Sequence, residues 1–142
     1  MPMNIDESLS LYGLPPSDDA LPAIRQLLQG EAELEKTERG EERTPDLALL
    51  CCVQLFSRAL DEDIMRIWRA KTSGFDMHCS IDVQLLCGPG LEETKAYLRQ
   101  STEPDAAEAL AYIEECERAG DFDDFTPEGD LAFHCNTFGV TP

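Results

Sequence analysis

The stretch TPDLALLCCVQLFSRAL, residues 44–60, decides the fold. Thr44 followed by Pro45 and Asp46 is a helix-start signal: threonine can cap the first amides, proline suits the first helical position, and an acid favours the positive helix end. The following residues are apolar on nearly every side of a helix, which indicates that no face of it meets water. We therefore predict a central core helix that begins after residue 46.

Similar start signals predict the other helices on either side of this one. Acids, a serine or a Thr-Pro pair precede most of the helical patterns, and no segment shows the alternation of a strand. The sequence predicts an all-α fold of six or seven short helices. These form a single helical domain over residues 18–142, preceded by an irregular N-terminal segment at residues 1–17, with helices starting near residues 18, 44, 61, 80, 91, 105 and 126.

A short repeated sequence pattern leaves two arrangements of the helices open. Residues 46–51 and 82–87 share the pattern D-x-x-L-L-C at an offset of 36 residues. That offset lies in the range of helix–turn–helix repeats, which would give stacked, solenoid-like αα-hairpins. The helices that follow the two copies of the pattern do not start at the same distance from them, which favours an irregular bundle instead.

The charge balance constrains the kind of partner. The 142 residues include 29 acids and 11 bases, a formal net charge of −18. Such a field repels nucleic acid and anionic membranes and attracts cationic surfaces, so we predict a cationic protein partner, no nucleic acid and no membrane. The first 14 residues lack an export signal, and the longest apolar run is too short to cross a membrane. Six cysteines in such a chain are typical of reduced thiols in the cytoplasm.

Residues 75–88, FDMHCSIDVQLLCG, raise the possibility of a metal or catalytic site. If Ser80 caps a helix, Cys79 and Cys87 lie about 12 Å apart along it, too far to share one metal ion. We expect a capped core helix here, no metal and no cofactor. A site built from His78, Cys79, His134 and Cys135 remains geometrically possible.

Catalysis is not favoured either. A cysteine nucleophile needs a lowered thiol pKa, and a strongly negative protein acts against that. His134 lies on an apolar helical stripe, as core histidines do. The acidic turn at residues 120–125, GDFDDF, lacks the spacing of a calcium loop. We therefore expect that the chain is not an enzyme.

The C-terminal third carries the strongest functional signal. Residues 100–142 hold eleven acids and one base, Arg118, for a local charge of −10. A charge run of this kind is usually a solvated face, but self-repulsion costs stability, so a docking face for a cationic protein is an equally good interpretation. The candidate contact residues are Glu108, Glu114, Glu115, Asp121, Asp123 and Asp124.

A basic cluster, RIWRAK at residues 66–71, is the second candidate surface. Arg66 and Arg69 share one helix face, and Trp68 is the sole tryptophan. Tryptophan and arginine are enriched at interface anchors. The pattern is more typical of a core Trp68 with the arginines paired to nearby acids, since Glu62 and Arg66 are correctly ordered for an i, i+4 pair.

These observations lead to two functional hypotheses. The first is an acidic inhibitor of the immunity or antitoxin type, which occludes a basic surface of a toxin such as a nuclease. The alternative is a small helical adaptor or scaffold that binds its partner in a groove near Trp68.

Overall fold

Helices form nearly all of the regular structure. The computed structural model describes residues 3–141, and within that range it has eight α-helices and no β-strand. The all-α prediction is confirmed, with one helix more than the sequence indicated. The helices are α1 Ile5–Tyr12, α2 Leu21–Lys36, α3 Leu47–Arg58, α4 Ile64–Lys71, α5 Phe75–Ser80, α6 Leu91–Gln100, α7 Ala106–Arg118 and α8 Pro127–Thr137, with short 3-10 helices at Asp18–Ala20, Gly40–Glu42, Asp61–Asp63 and Val83–Leu86.

The helix α3 is the centre of the core, as predicted. Nine of its first ten residues, 47–56, are buried, and the remaining one, Leu49, is half-buried. The helix begins at the expected position, but its N-cap residue, Asp46, adopts a left-handed φ of 62° and makes no side-chain capping bond. None of the helices in the described residues is both long enough and apolar enough to cross a bilayer.

The N-terminal segment is not irregular throughout, so that part of the prediction is wrong. Residues 5–12 form α1, and a capping box starts it: the Glu7 amide donates to Asn4 Oδ1 at 2.9 Å, and the Asn4 amide donates to Glu7 Oε1 at 3.2 Å. Ser8 is buried, and Ile5 and Leu9 pack against the core. Met1 and Pro2 lie outside the described residues.

The prediction of a helix that starts at Ser80 is also wrong. Ser80 ends α5, Ile81 is extended, and Val83–Leu86 is a 3-10 helix. The start of α5 is fixed from a distance, because Glu35 Oε2 on α2 accepts hydrogen bonds from the amides of Asp76 (3.2 Å) and Met77 (3.4 Å). A cap from another helix leaves no local signal in the sequence.

The order of α2, α3 and α4 positions the surfaces described below. Arg58 at the end of α3 bonds to Pro16 and Asp18, which precede α2, so α2 and α3 are antiparallel. Arg25 near the start of α2 bonds to Asp63 just before α4, while Glu35 near the end of α2 bonds to the start of α5. The helices α2 and α4 therefore run parallel and in contact.

The remaining helices complete one domain around α3. The helices α6 and α7 pack together, α7 also contacts α4, and α8 packs against α3. The sequence pattern repeated at an offset of 36 residues has no structural counterpart, because residues 47–51 are α-helical whereas residues 83–86 form a 3-10 helix. The arrangement is therefore not built from that repeat.

Candidate functional site

The helix α7 presents its acids outward, as its apolar pattern predicts. Ala106, Ile113 and Cys116 are buried, and Leu110 is half-buried. On the opposite side Glu108 and Glu115 are exposed and form no ion pair with any described residue. Glu114 differs, because its carboxylate lies 3.6 Å from the Arg99 guanidinium on α6. Two of the three predicted α7 acids are thus available to a partner.

The turn after α7 holds the next three predicted acids in a fixed position. Asp121, Asp123 and Asp124 are exposed, while Phe122 between them is buried and packs edge-to-face on Phe125, with ring centroids 5.4 Å apart. Gln84 fastens the turn to the 3-10 helix at Val83–Leu86, because its Nε2 donates to the Asp121 carbonyl at 2.7 Å. The side chains of these acids therefore project from an anchored backbone.

Those three aspartates converge on a pocket that extends to α8. We call it the acidic pocket; its volume is about 310 Å³, and it is lined by Gln84, Asp121, Asp123, Asp124, Phe125, Thr126, Gly129, Asp130 and Phe133. Asp130 brings a fourth carboxylate, and its Oδ2 atom is buried without a hydrogen-bond partner among the described residues. The imidazole Nε2 of His134 lies 3.6 Å from this atom, beyond hydrogen-bond distance. Phe133 stands at the same pocket with 64% of its surface exposed.

Sequence reasoning missed Asp130 and Phe133 as parts of this surface. Their position follows from the start of α8, where Pro127 occupies the first turn and Thr126 Oγ1 accepts from the Gly129 amide at 3.0 Å. The predicted Thr-Pro start is thereby confirmed. It places Asp130 and Phe133 on one face at i, i+3 spacing, a signal that the sequence does contain.

The sequence-predicted basic cluster separates into buried and exposed parts. Trp68 is only 4% exposed, and its ring packs on Tyr112 with centroids 5.5 Å apart. It is a core residue and does not line a groove, so the groove predicted near Trp68 cannot use that side chain. Arg66 and Arg69 are exposed on the other face of α4.

A buried carboxylate organises these arginines. Asp63 accepts two hydrogen bonds from Arg25, at 2.8 and 3.0 Å, and a third from Arg66 at 3.0 Å. Arg69 pairs with Glu103 at 3.2 Å, an exposed contact. Because Asp63 is almost fully buried, it holds two guanidinium groups in set positions beside each other.

Arg25, Arg66 and Arg69 line a groove between the parallel helices α2 and α4. We call it the α2/α4 groove; its volume is about 650 Å³, and its walls are Pro22, Arg25, Gln26, Leu28, Gln29, Ala32, Glu33 and Lys36 on α2 and Arg66, Arg69, Ala70 and Ser73 on α4. Four of the 11 bases in the chain therefore lie at one groove. The sequence does not bring them together, because about 40 positions separate Arg25 from Arg66 and Arg69.

The histidines and cysteines do not assemble a metal or thiol site. His78 contacts Tyr112, with 3.4 Å between His78 Nε2 and the tyrosine hydroxyl, whereas His134 lies beside Asp130. Over residues 3–141 no three His, Cys, Asp or Glu side chains are placed to hold a metal ion. Cys79 is the exposed thiol, and the other five are buried. Burial raises the pKa of Cys51 and of Cys87 to about 12, which suppresses thiolate formation.

Lys71 is a buried basic residue whose hydrogen bonds hold the end of α5. Its Nζ donates to the carbonyl of His78 at 2.7 Å and to that of Ile81, so it caps the C-terminal end of α5. The ammonium group also lies 5.8 Å from the centroid of the Tyr112 ring. Burial lowers the pKa of Lys71, and the nearby Asp82 carboxylate opposes that effect.

Comparison with protein-family models, with curated proteins and with solved structures gave no match to this chain. The fold and the two surfaces define a small all-α protein with an acidic pocket at the α7–α8 end and a base-lined groove between α2 and α4.

Proposed function

We propose that this protein binds a cationic protein through its acidic C-terminal face and inhibits it by covering a basic surface. Its mode of action is that of an immunity or antitoxin-type inhibitor, and its target is a toxin such as a nuclease. Carboxylates of the inhibitor then occupy the positions at which the target normally meets phosphates. The protein acts by occlusion, which requires no catalytic residue of its own.

The acidic pocket is the observation that carries this proposal. It joins four carboxylates, those of Asp121, Asp123, Asp124 and Asp130, to the rings of Phe125 and Phe133. An arginine or lysine side chain has matching chemistry: its head pairs with carboxylates, and its stem or guanidinium plane packs on an aromatic ring. Asp130 Oδ2 supports this, because it is buried and no group among residues 3–141 donates a hydrogen bond to it, His134 Nε2 at 3.6 Å being too distant, and a buried acceptor without a donor is costly.

The acids outside the pocket contribute differently. Glu108 and Glu115 are exposed on α7 at a spacing of seven residues, which corresponds to about 10 Å along the helix. Exposed charges of this kind accelerate encounter with an oppositely charged surface more than they strengthen the complex. We therefore assign them to steering and the acidic pocket to anchoring.

The test uses two variants with the same total charge. The first is Asp121→Asn/Asp123→Asn/Asp124→Asn. The matched control is Asp19→Asn/Glu41→Gln/Glu93→Gln, which neutralises three exposed acids that form no ion pair with a described residue. Each variant is immobilised and presented with lysate of the native host at low and high salt, and bound proteins are identified by mass spectrometry.

The proposal expects one stoichiometric basic protein on the wild type and on the control, lost at high salt and absent from the pocket variant. The purified partner must then lose its own activity when the wild-type protein is added in equimolar amount. Equal retention by both variants, or a bound partner whose activity is unaffected, would contradict the proposal.

The α2/α4 groove supports a second candidate function, a small helical adaptor. Its volume lies within the range of ligand-binding clefts, and two parallel helices frame it as in helix-in-groove complexes. Salt sensitivity does not separate the two candidates, because this groove is lined by cations. The sign of the partner's charge does separate them, since the acidic pocket selects a basic partner and the groove does not.

A further inference from the structure

We infer that the α2/α4 groove binds an acidic amphipathic peptide segment of a protein partner. This inference is independent of the acidic-face proposal and gives the adaptor candidate its ligand. It depends on the charge, the shape and the rigidity of the groove.

The lining of the groove is mostly basic, unlike the surface of the protein as a whole. Four basic side chains line it, and Glu33 is the single acid among the described lining residues. The acids that pair with the arginines, Glu62, Asp63 and Glu103, stand outside that lining. These paired acids lie at 2.8 to 3.2 Å from the guanidinium groups and offset most of the positive charge locally. At physiological ionic strength the acids beyond about 8 Å are largely screened, so a ligand meets a groove that is near neutral overall and rich in basic donors, and not the full net charge of −18.

Hydrogen-bond donors remain available despite the ion pairs. A guanidinium carries five N–H groups in a planar fork. Arg66 uses Nη1 for Asp63, and Arg69 uses Nη2 for Glu103, which leaves donors on the other nitrogens of each group without a partner in the described part of the chain. Lys36 forms no ion pair with the residues described. Carboxylates are the ligands that such forks bind best in peptides.

The shape of the groove favours a peptide over a small anion. The α2 wall runs from Pro22 to Lys36, which corresponds to about 21 Å at 1.5 Å per residue. Leu28 and Ala70 lie at its base and are buried, and Ala32 beside them is small enough to allow close approach. Apolar side chains of an amphipathic segment can pack on this base while its acids reach the basic rims.

The rigidity of the groove comes from its two ends. Arg25–Asp63 joins the starts of α2 and α4, and Glu35 joins the end of α2 to the start of α5 just beyond Gly74. Both walls are therefore held before any ligand arrives, which limits the ordering that binding requires.

The experiment uses a fluorescein-labelled amphipathic peptide of Leu, Ala and Glu, about twelve residues long so that as a helix it spans about 18 Å. Its counterpart carries Lys in place of every Glu. Fluorescence anisotropy gives affinities for the full chain and for the variants Lys36→Gln, Arg69→Gln and Arg99→Gln. Arg99→Gln is the matched control, because Arg99 and Arg69 are similarly exposed and each forms an ion pair with one glutamate.

We expect the acidic peptide to bind and the amide signals of Ala32 and Ala70 to shift in ¹H–¹⁵N spectra. Lys36→Gln and Arg69→Gln should each weaken binding about tenfold, because each removes one charge-assisted contact. Arg99→Gln should stay within about twofold of the wild type. No binding of the acidic peptide, equal losses in all three variants, or displacement by inorganic phosphate as effective as by unlabelled peptide would overturn the inference. Binding of the Lys peptide with shifts at Gly129 reports on the acidic pocket alone, so the two proposals fail separately.

Discussion

Asp63 and Arg25 form a two-bond ion pair across 38 residues of sequence, and Asp63 is the buried partner. The pair ties the start of α2 to the start of α4, and Arg66 shares the same carboxylate. It is a buried polar contact at that end of the groove, beside the Arg25–Glu62 pair at 3.0 Å. Its removal should therefore change both stability and the groove.

Asp63→Asn is expected to lower the free energy of unfolding by about 2–4 kcal/mol, because it leaves two arginines beside a buried neutral amide. Urea denaturation followed by circular dichroism measures the loss. Glu103→Gln, which removes the exposed partner of Arg69, is the control and should cost under about 1 kcal/mol. Equal effects of the two substitutions would show that burial of Asp63 does not govern the strength of the pair.

Glu35→Gln should loosen α5 without unfolding the domain. The carboxylate caps α5 from α2 and also accepts from Arg43 at 3.2 Å, and a neutral amide replaces these charge-assisted bonds only in part. We expect a cost of about 1 kcal/mol and faster hydrogen exchange at the Asp76 and Met77 amides. Glu33→Gln, on the same helix but without these bonds, should leave both amides unchanged. Unchanged exchange in Glu35→Gln would contradict the capping role.

Stability should fall at alkaline pH because of the buried thiols. Burial raises the pKa of Cys51 and Cys87 from 9.0 to about 12, so the unfolded chain releases these protons first, and stability that is complete below pH 9 is lost as the pH approaches 12. Each thiol should cost roughly 1 kcal/mol at pH 10. Tyr112, whose pKa burial also raises to about 12, acts in the same direction. Lys71 has the opposite effect on stability. Burial lowers its pKa, so the folded protein binds its proton less tightly than the unfolded chain does, and the free energy of unfolding rises with pH as this lysine loses its proton.

Urea denaturation in the presence of reductant at pH 7, 8.5 and 10 measures this slope. Cys51→Ala/Cys87→Ala should be less stable at pH 7, where it lacks two packed side chains, but should lose less stability between pH 8.5 and 10. An identical slope in the double variant would assign the alkaline loss to other groups.

One thiol should react with Ellman's reagent in the folded protein, and six should react in denaturant. Cys79 on α5 is the exposed cysteine, so Cys79→Ser should abolish the reaction of the native state. Cys116→Ser, a change at a buried position, should leave it in place. Rapid modification of two or more thiols at neutral pH would mean that the core opens on the timescale of labelling.

Local signals account for the parts of the fold that the sequence predicts. Asp61–Asp63 immediately precede α4 as the sequence predicts, and Thr126 at the start of α8 caps the helix within one turn, a signal that the linear sequence contains in full. The α1 capping box of Asn4 and Glu7 is equally local, and its pattern could have been recognised. By contrast, the start of α5 depends on Glu35, about 40 residues earlier, and no local pattern reports it.

The two candidate surfaces also differ in how far apart their residues lie in the sequence. Asp121, Asp123 and Asp124 are neighbours in the chain, so the acidic turn can be recognised from the linear sequence. The α2/α4 groove exists only because two helices pack in parallel, and its bases come from positions 25, 36, 66 and 69. Trp68 could be an interface anchor or a core residue by its sequence, and the structure places it in the core, packed on Tyr112 from α7.

The single exposed thiol on α5 also limits how copies of this chain can be joined covalently. Five cysteines are enclosed by the core and have no access to another molecule while the fold is intact. A chain with one accessible thiol can form a disulfide with one other copy, and the resulting pair has no accessible thiol left to join a third copy. Oxidation of the native protein should therefore stop at pairs linked through Cys79, and larger covalent aggregates would indicate that unfolding came first.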